Sequence, residues 1–187
     1  MEPDWDKRYR EGFYGGAPEA HGLVRRYATL MKRDRPVIDV AMGQGADLLY
    51  LARAGFRVCG LEKSREAIRL SRENADKAGV DLTCVLGDAC SLPFKPASAG
   101  TILVFYFLER EIMGWLVRML APGGLILYET FLKRQSGLDG PRDPRYLLDD
   151  GELFDFFQGL EPLLYEEGLF FSGAKRRALA RYVGRKA

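Results

Sequence analysis

The segment from Pro36 to Asp47 constrains the fold more than any other part of the chain. Its sequence, P-V-I-D-V-A-M-G-Q-G-A-D, is a short apolar run followed by small and flexible residues. The run is typical of a buried parallel strand. Gly43 and Gly45 let the backbone turn sharply and approach a ligand without an intervening Cβ atom. Residues 46–55 then have helical spacing and end in glycine. The segment predicts a strand, a glycine turn and a helix at the ligand-binding edge of a parallel sheet.

A second strand and helix follow, and this strand ends in an acid. Residues 56–62 read F-R-V-C-G-L-E, and a helix-forming stretch with a final glycine comes next. Glu62 lies near the offset of roughly 20 residues at which a carboxylate accepts hydrogen bonds from ribose hydroxyls. Leu48 replaces the third glycine of the dinucleotide pattern G-x-G-x-x-G, and Asp39 is unexpected for a dinucleotide site. These features predict a nucleoside-containing cofactor that need not be a dinucleotide.

Composition and charge limit the possible classes of protein. The 187 residues are 47% hydrophobic and 29% charged, which suits one globular domain. No apolar run approaches the ~18 residues that span a bilayer, and the N-terminus is charged rather than signal-like. The net charge is only +2, and the basic C-terminal stretch favours a solvated strand face over an RNA-binding stripe. We expect a single cytoplasmic domain over residues 1–187, without membrane contact and with nucleic acid unlikely as a partner.

The residue types that commonly form metal sites and disulfides, histidine and cysteine, are few and scattered in this sequence. Cys59, Cys84 and Cys90 are odd in number and lack C-x-x-C spacing, so we expect small buried side chains in a reducing compartment. His21 is the only histidine, which excludes a multi-histidine metal site. A lone histidine is usually structural or solvent-exposed, and a catalytic role is the less favoured alternative.

The rest of the sequence predicts five more strands, one turn that contains an acidic residue, and one more helix. Apolar or alternating patterns predict strands at residues 82–87, 101–107, 125–131, 162–171 and 178–186. Asp88 follows the first of these at the same edge as Glu62, where an acid also commonly caps a turn. Residues 147–158 predict a helix that is capped near Asp149 or Asp150.

At this point the chain resembles the class I S-adenosylmethionine-dependent methyltransferases. Their first motif reads D-x-G-x-G-x-G, and the corresponding residues of this chain are Asp39, Ala41, Gly43 and Gly45. Ala41 stands where the motif has a glycine. The backbone at this position must therefore adopt a conformation that an L-residue can hold. The segments W-D-x-R-Y, F-L-E-R, A-P-G-G and Y-E-T-F are similar to those of the small tellurite-resistance and thiopurine methyltransferase-like group. The resemblance covers about residues 4–186.

The resemblance implies a fold and a cofactor. The implied fold is α/β, a Rossmann-like doubly wound and mostly parallel seven-stranded sheet with helices on both faces and an antiparallel C-terminal strand. The implied cofactor is S-adenosyl-L-methionine, and the residues that match its site in the family are Asp39, Gly43, Gly45, Glu62, Lys63, Asp88, Ala89, Phe105, Trp5 and Tyr9.

The resemblance also gives these residues roles. Asp39 is expected to orient the turn or reach the methionine amino group through water, Glu62 to bind the ribose and Asp88 the adenine amino group. Phe105 is expected beside the adenine or the sulfonium. Trp5 and Tyr9 share a helix face in residues 1–18, which either packs on the domain or forms an aromatic lid.

The acceptor is less well specified by the sequence. Residues 105–108 read F-Y-F-L where nucleobase-amine methyltransferases have Asn/Asp-Pro-Pro-Tyr/Phe. The resemblance implies a small molecule with a soft nucleophile, such as a thiol or a chalcogen oxyanion, and it assigns no catalytic residue or oligomeric state. Two alternatives stay open: a noncatalytic cofactor- or partner-binding module of the same fold, and an NAD-dependent oxidoreductase.

Overall fold

The computed structural model describes residues 3–12, 19–135, 138, 140–172 and 175–187, which form six α-helices and seven strands. The helices are α1 (Trp5–Arg10), α2 (Gly22–Tyr27), α3 (Ala46–Arg53), α4 (Arg65–Ala78), α5 (Met113–Met119) and α6 (Glu152–Phe156). The strands are β1 (Val37–Val40), β2 (Val58–Glu62), β3 (Thr83–Leu86), β4 (Ala99–Phe105), β5 (Leu120–Phe131), β6 (Glu161–Ser172) and β7 (Lys175–Arg185). Within the described residues, no helix combines the length and the apolar composition that crossing a bilayer requires.

The strands form one sheet in the order β3-β2-β1-β4-β5-β7-β6. Neighbouring strands from β3 to β5 are parallel, whereas β7 is antiparallel to both β5 and β6. Six strands therefore share one direction and β7 runs against them, which confirms the predicted fold class. The carboxyl ends of β1, β2 and β4 meet at one edge, because Val40 pairs with both Leu61 and Val104.

Both faces of the sheet are covered by helices. Successive side chains of a strand point to opposite faces, and β4 shows this within two residues. Leu103 belongs to a buried cluster with residues of α2, α3 and α4, and Val104 belongs to one with residues of α5 and α6. Both side chains are fully buried. This two-sided burial explains why the inner strands are nearly continuous apolar runs rather than alternating patterns.

The fourth strand ends earlier than its sequence predicts. Residues 101–107 are apolar and aromatic, but the strand spans Ala99–Phe105. Tyr106 has a φ of 56°, in the left-handed region that a strand cannot continue through. Its backbone N–H instead donates to Glu129 O at 2.8 Å. The break turns the Tyr106 side chain out of the strand pattern at the carboxyl edge.

The helix predicted at residues 147–158 is also shorter. Leu148 forms an isolated parallel bridge with Leu132, just beyond the end of β5, so the first residues of the predicted helix are extended instead. Gly151, with a φ of 85°, is the N-cap, and neither predicted aspartate is. The burial expected for the cysteines is wrong for Cys90, which is exposed, while the other two are partly buried.

Candidate functional site

The glycine turn after β1 holds three alternating left-handed residues. The φ angles are 60° for Ala41, 56° for Gly43 and 73° for Gly45. An L-residue reaches this region at a cost of about 1–2 kcal/mol, so Ala41 carries a strain that a glycine would not. The next residue fixes the turn, because Met42 N donates to Leu61 O at 3.1 Å. The expected conformation is thus accessible to Ala41, but it is a costly one.

Glu62 joins the second strand to the glycine turn. Its Oε2 accepts a hydrogen bond from Gly43 N at 2.9 Å, and its Oε1 accepts one from Ser64 N at 2.9 Å. Burial raises the pKa of Glu62, and these backbone hydrogen bonds oppose that rise. Each carboxylate oxygen has a second lone pair. The side chain is therefore held at the mouth of the turn and can still accept bonds from a ligand hydroxyl pair.

Two more buried carboxyl groups lie at the same turn. Asp39 and Asp47 are each only 3% exposed. Burial raises the pKa of Asp39 well above its usual range, and the charges of Asp47 and Glu62 raise it further. Like charges in a poorly solvated place destabilise one another. The turn is consequently lined by three buried carboxyl groups, and the raised pKa of Asp39 favours its neutral form.

The helix α1 lies beside this turn. Oδ1 of Asp6 accepts hydrogen bonds from Ser64 Oγ at 2.6 Å and from Glu66 N at 3.1 Å. A Cβ atom added to Gly43 would lie 2.8 Å from the hydroxyl oxygen of Tyr9. The predicted pair, Trp5 and Tyr9, is partly buried. Within the segment predicted as a lid, residues 1–2 and 13–18 lie outside the described part of the chain.

Asp88 follows β3 at the same edge. Its Oδ1 accepts a hydrogen bond from Cys90 N at 2.9 Å and so caps the short turn that contains the buried Ala89. Lys63 Nζ lies 3.5 Å from its Oδ2. The Cys90 hydrogen bond lowers the pKa of Asp88, and Lys63 lowers it further. The structure thus gives Asp88 the capping role that the sequence left open, and its contact with an adenine stays a prediction.

At the end of β4, an aromatic group includes a histidine that the sequence did not favour. The ring of His21 stacks on Phe105 with 4.0 Å between centroids and 2° between planes. The ring of Tyr106 is tilted against His21 at 5.3 Å and stacks on Phe131 at 5.1 Å. Asp47 Oδ2 lies 2.7 Å from Nδ1 of the same ring. Residues 21 and 47 are far apart in sequence, and the only available signals were the rarity of histidine and the acid beside the glycine motif.

The structure brings most of the predicted residues to one edge of the sheet. Seven of them lie at the carboxyl ends of β1 to β4 or in the turns that follow these strands. They are Gly43, Gly45, Glu62, Lys63, Asp88, Ala89 and Phe105. Asp39 lies within β1, and Tyr9 contacts the edge from α1. For Trp5 the described ring contact is with Arg8, whose guanidinium carbon lies 5.2 Å from the ring centroid.

Comparison with known sequences finds a family match in the central part of the chain. Residues 37–124 match the family described as a methyltransferase domain. A tRNA (uracil(54)-C(5))-methyltransferase from Pyrococcus horikoshii is 35% identical over 69 residues, which are 37% of this chain and 17% of that protein. The matched parts thus cover less than a fifth of the length of the curated relatives.

Solved structures share the fold over nearly the whole chain. TehB from Haemophilus influenzae superposes with a TM-score of 0.78 at 20% identity, over 97% of this chain and 67% of that one. A SAM-dependent methyltransferase from Aquifex aeolicus gives a TM-score of 0.72 at 15% identity, over 100% of both chains. Residues 37–124 therefore match the methyltransferase domain family, and the chain has the fold of the class I S-adenosylmethionine-dependent methyltransferases.

Proposed function

We propose that the protein binds S-adenosyl-L-methionine and transfers its methyl group to a small-molecule acceptor. The observation that carries this proposal is the acidic lining of the glycine turn, where the buried carboxyl groups of Asp47 and Glu62 lie beside Asp39. S-adenosylmethionine has a net positive charge, which an acidic lining suits. The pyrophosphate of NAD is an anion that carboxylates repel. The charge of the site supports the first cofactor over the second.

The residues at the turn also suit the parts of this cofactor. Gly43 presents its backbone without a Cβ atom beneath the hydroxyl of Tyr9, where we assign the methionyl and ribose groups once α1 opens, and Glu62 has lone pairs for the ribose hydroxyls. Asp88 and Ala89 lie where the adenine edge would follow. When bound, the cofactor supplies a methyl group that its sulfonium makes electrophilic. The chain has to orient the acceptor and exclude water, which are contributions of position and electrostatics.

We also propose that α1 is a lid over this site. Asp6 anchors the helix to the start of α4, next to Glu62, and Tyr9 covers Gly43. None of the residues of α1 is fully buried. Few buried contacts mean that the helix can open at a low free energy. A lid at this place would slow the release of the cofactor.

The Asp6→Ala variant tests the lid. The substitution removes the acceptor of Ser64 Oγ and Glu66 N, so we expect S-adenosylhomocysteine to dissociate about five times faster, as the loss of about 1 kcal/mol implies. Stopped-flow dissociation measures this rate. Glu11→Ala, which removes an exposed carboxylate after the same helix, is the control and should leave the rate unchanged. Equal rates for Asp6→Ala and the wild type would contradict the lid.

Intramolecular pairing of the C-terminal basic residues supports a small acceptor. Arg181 donates to Glu129 at 2.6 Å, Arg185 lies 3.4 Å from Glu161, and Lys186 donates to two backbone carbonyls. Cations engaged in this way contribute less to phosphate binding. The curated relatives methylate RNA by their names, so a tRNA transcript belongs in the acceptor screen. Turnover of RNA alone would contradict the small-molecule proposal.

Calorimetric titration with S-adenosylmethionine, S-adenosylhomocysteine and NAD in parallel tests the cofactor. We expect micromolar binding of the first two and none of NAD. Selective binding of NAD would support the oxidoreductase alternative and overturn the proposal. Binding of S-adenosylmethionine without turnover in an acceptor screen would favour the noncatalytic module.

A further inference from the structure

His21 and Asp47 form a two-point contact next to the proposed cofactor site. The backbone N–H of His21 donates to Asp47 Oδ1 at 2.7 Å, and its Nδ1 lies 2.7 Å from Asp47 Oδ2. The side chain of Asp47 is 4% exposed and that of His21 is 27% exposed. A carboxylate can only accept hydrogen bonds, so Nδ1 has to donate. In the neutral imidazole the proton therefore lies on Nδ1, and Nε2 keeps a free lone pair.

The ring of His21 belongs to an aromatic group whose exposed member is Tyr106, at 37%, while Phe105 and Phe131 are each 8% exposed. Phe105 stacks on one face of His21, and Tyr106 with Phe131 continues the aromatic surface. Tyr106 is held in its left-handed conformation by its backbone bond to β5, and its hydroxyl accepts from Arg177 Nη1 at 3.0 Å. Among the described residues, none forms a hydrogen bond with His21 Nε2. Backbone strain of this kind is concentrated at functional sites.

We propose that His21 is the general base of the methyl transfer, with Asp47 as its positioning residue, and that the acceptor is a planar phenol. This inference rests on the proposed function and makes it more specific. His21 Nε2 takes the hydroxyl proton as the phenol oxygen forms its bond to the methyl carbon. The carbon–sulfur bond breaks, and its electron pair stays on sulfur. The imidazolium is stabilised by Asp47 and then releases the proton to solvent.

A thiol acceptor would need this base much less. Thiols are partly ionised near neutrality, whereas a phenol with a pKa near 10 is almost fully protonated there. General-base catalysis typically contributes about 10²–10⁴ in rate. A preorganised base beside an aromatic surface thus favours the phenol over the soft nucleophile that the family resemblance implies.

The tautomer of His21 is the first test, and it needs no acceptor. Because the chain has one histidine, nitrogen-15 NMR of the wild-type protein with S-adenosylhomocysteine gives one set of ring signals. We expect the neutral ring to carry its proton on Nδ1 in the wild type and to become a mixture of tautomers in Asp47→Asn. A proton on Nε2 in the wild type would overturn the proposal, whatever the variants do.

The second test compares phenol with thiophenol as methyl acceptors. His21→Asn keeps a side-chain donor at the Nδ1 position for Asp47 but has no base. We expect its kcat to fall at least about 100-fold with phenol and at least ten times less with thiophenol, with S-adenosylmethionine affinity within twofold of the wild type. Equal losses for both acceptors, or no turnover of phenol by a protein that binds S-adenosylmethionine, would overturn the proposal. Failure to bind S-adenosylmethionine would instead overturn the proposed function.

The pH profile separates a base from a merely structural histidine. The charged and titratable groups around the ring are Asp47 from α3, Tyr106 after β4, and Glu129 and Arg177, which contact Tyr106 from β5 and β7. Burial and Glu129 raise the pKa of Tyr106, so its own phenol stays neutral at acid and neutral pH. The kcat for phenol should fall at acid pH, where a general base no longer accepts the proton. Persistence of this fall in His21→Asn would contradict the assignment.

Discussion

The Gly43→Val variant should lose S-adenosylmethionine affinity by about 100-fold or more, equivalent to about 2.7 kcal/mol, and should remain folded. Gly43 has a φ of 56°, where a β-branched residue is a conformational outlier. Its side chain would also enter the space between the turn and the hydroxyl of Tyr9, 2.8 Å from the new Cβ atom. Tyr9 can rotate away, but the cofactor would then meet the valine instead. Calorimetry measures the affinity, and circular dichroism checks the fold.

The control for this variant is Gly79→Val. Gly79 has a φ of 64° at the end of α4, and no heavy atom lies within 4 Å of a Cβ atom placed there. The two substitutions impose the same kind of backbone strain, but only one of them touches the proposed site. We expect Gly79→Val to lower the melting temperature and to leave the affinity unchanged. Equal affinity losses in both variants would mean that general destabilisation, and not occupation of the site, is the cause.

The Glu62→Ala variant is expected to weaken S-adenosylmethionine binding by about 1.5–3 kcal/mol, or roughly 10–150-fold, the range for lost hydrogen bonds to a charged group. It also leaves Gly43 N and Ser64 N without their acceptor. Because burial raises the pKa of Glu62, its carboxylate gains a proton as the pH falls through that raised value. Binding to the wild type should therefore weaken at acid pH, and this weakening should be smaller in Glu62→Ala. Calorimetry over a pH series measures both effects.

Two variants serve as controls for Glu62. Glu66→Ala removes an acid from the first turn of α4 that pairs with Arg69 on the surface, and it should leave cofactor affinity unchanged. Glu62→Gln keeps one oxygen but brings an amide N–H against a backbone N–H, so its affinity should lie near that of the alanine variant. Wild-type affinity in Glu62→Ala would remove Glu62 from the proposed site.

The parts of the fold that the sequence predicts are those with local signals. The turn at Gly43 follows from a run of small residues, and the inner strands follow from apolar runs that two layers of helices bury. The early end of β4 could not be predicted in this way. Tyr106 has high strand propensity, and its left-handed conformation depends on a backbone bond to Glu129, 23 positions later in the chain.

The candidate site likewise has some residues that local sequence signals predict and others that they do not. Glu62 and Asp88 end strands, so parallel pairing brings them together without further information. The contact between His21 and Asp47 joins a loop to the first turn of α3, and no periodicity or motif spacing encodes it. The short helix α6 begins later than its sequence predicts for a related reason: the pairing of Leu148 with Leu132 overrides the local helix signal.

Ser64 takes part in two structural elements at once. Its hydroxyl oxygen accepts from Ala67 N and caps α4, and the hydroxyl donates to Asp6 of α1. The attachment point of α1 is thus made by α4, and no hydrogen bond of the sheet has to break when α1 leaves. Release of α1 would then be a sub-global opening, with a free energy well below that of complete unfolding. In hydrogen exchange, the amides of α1 would form a separate and faster cooperative unit than those of the inner strands.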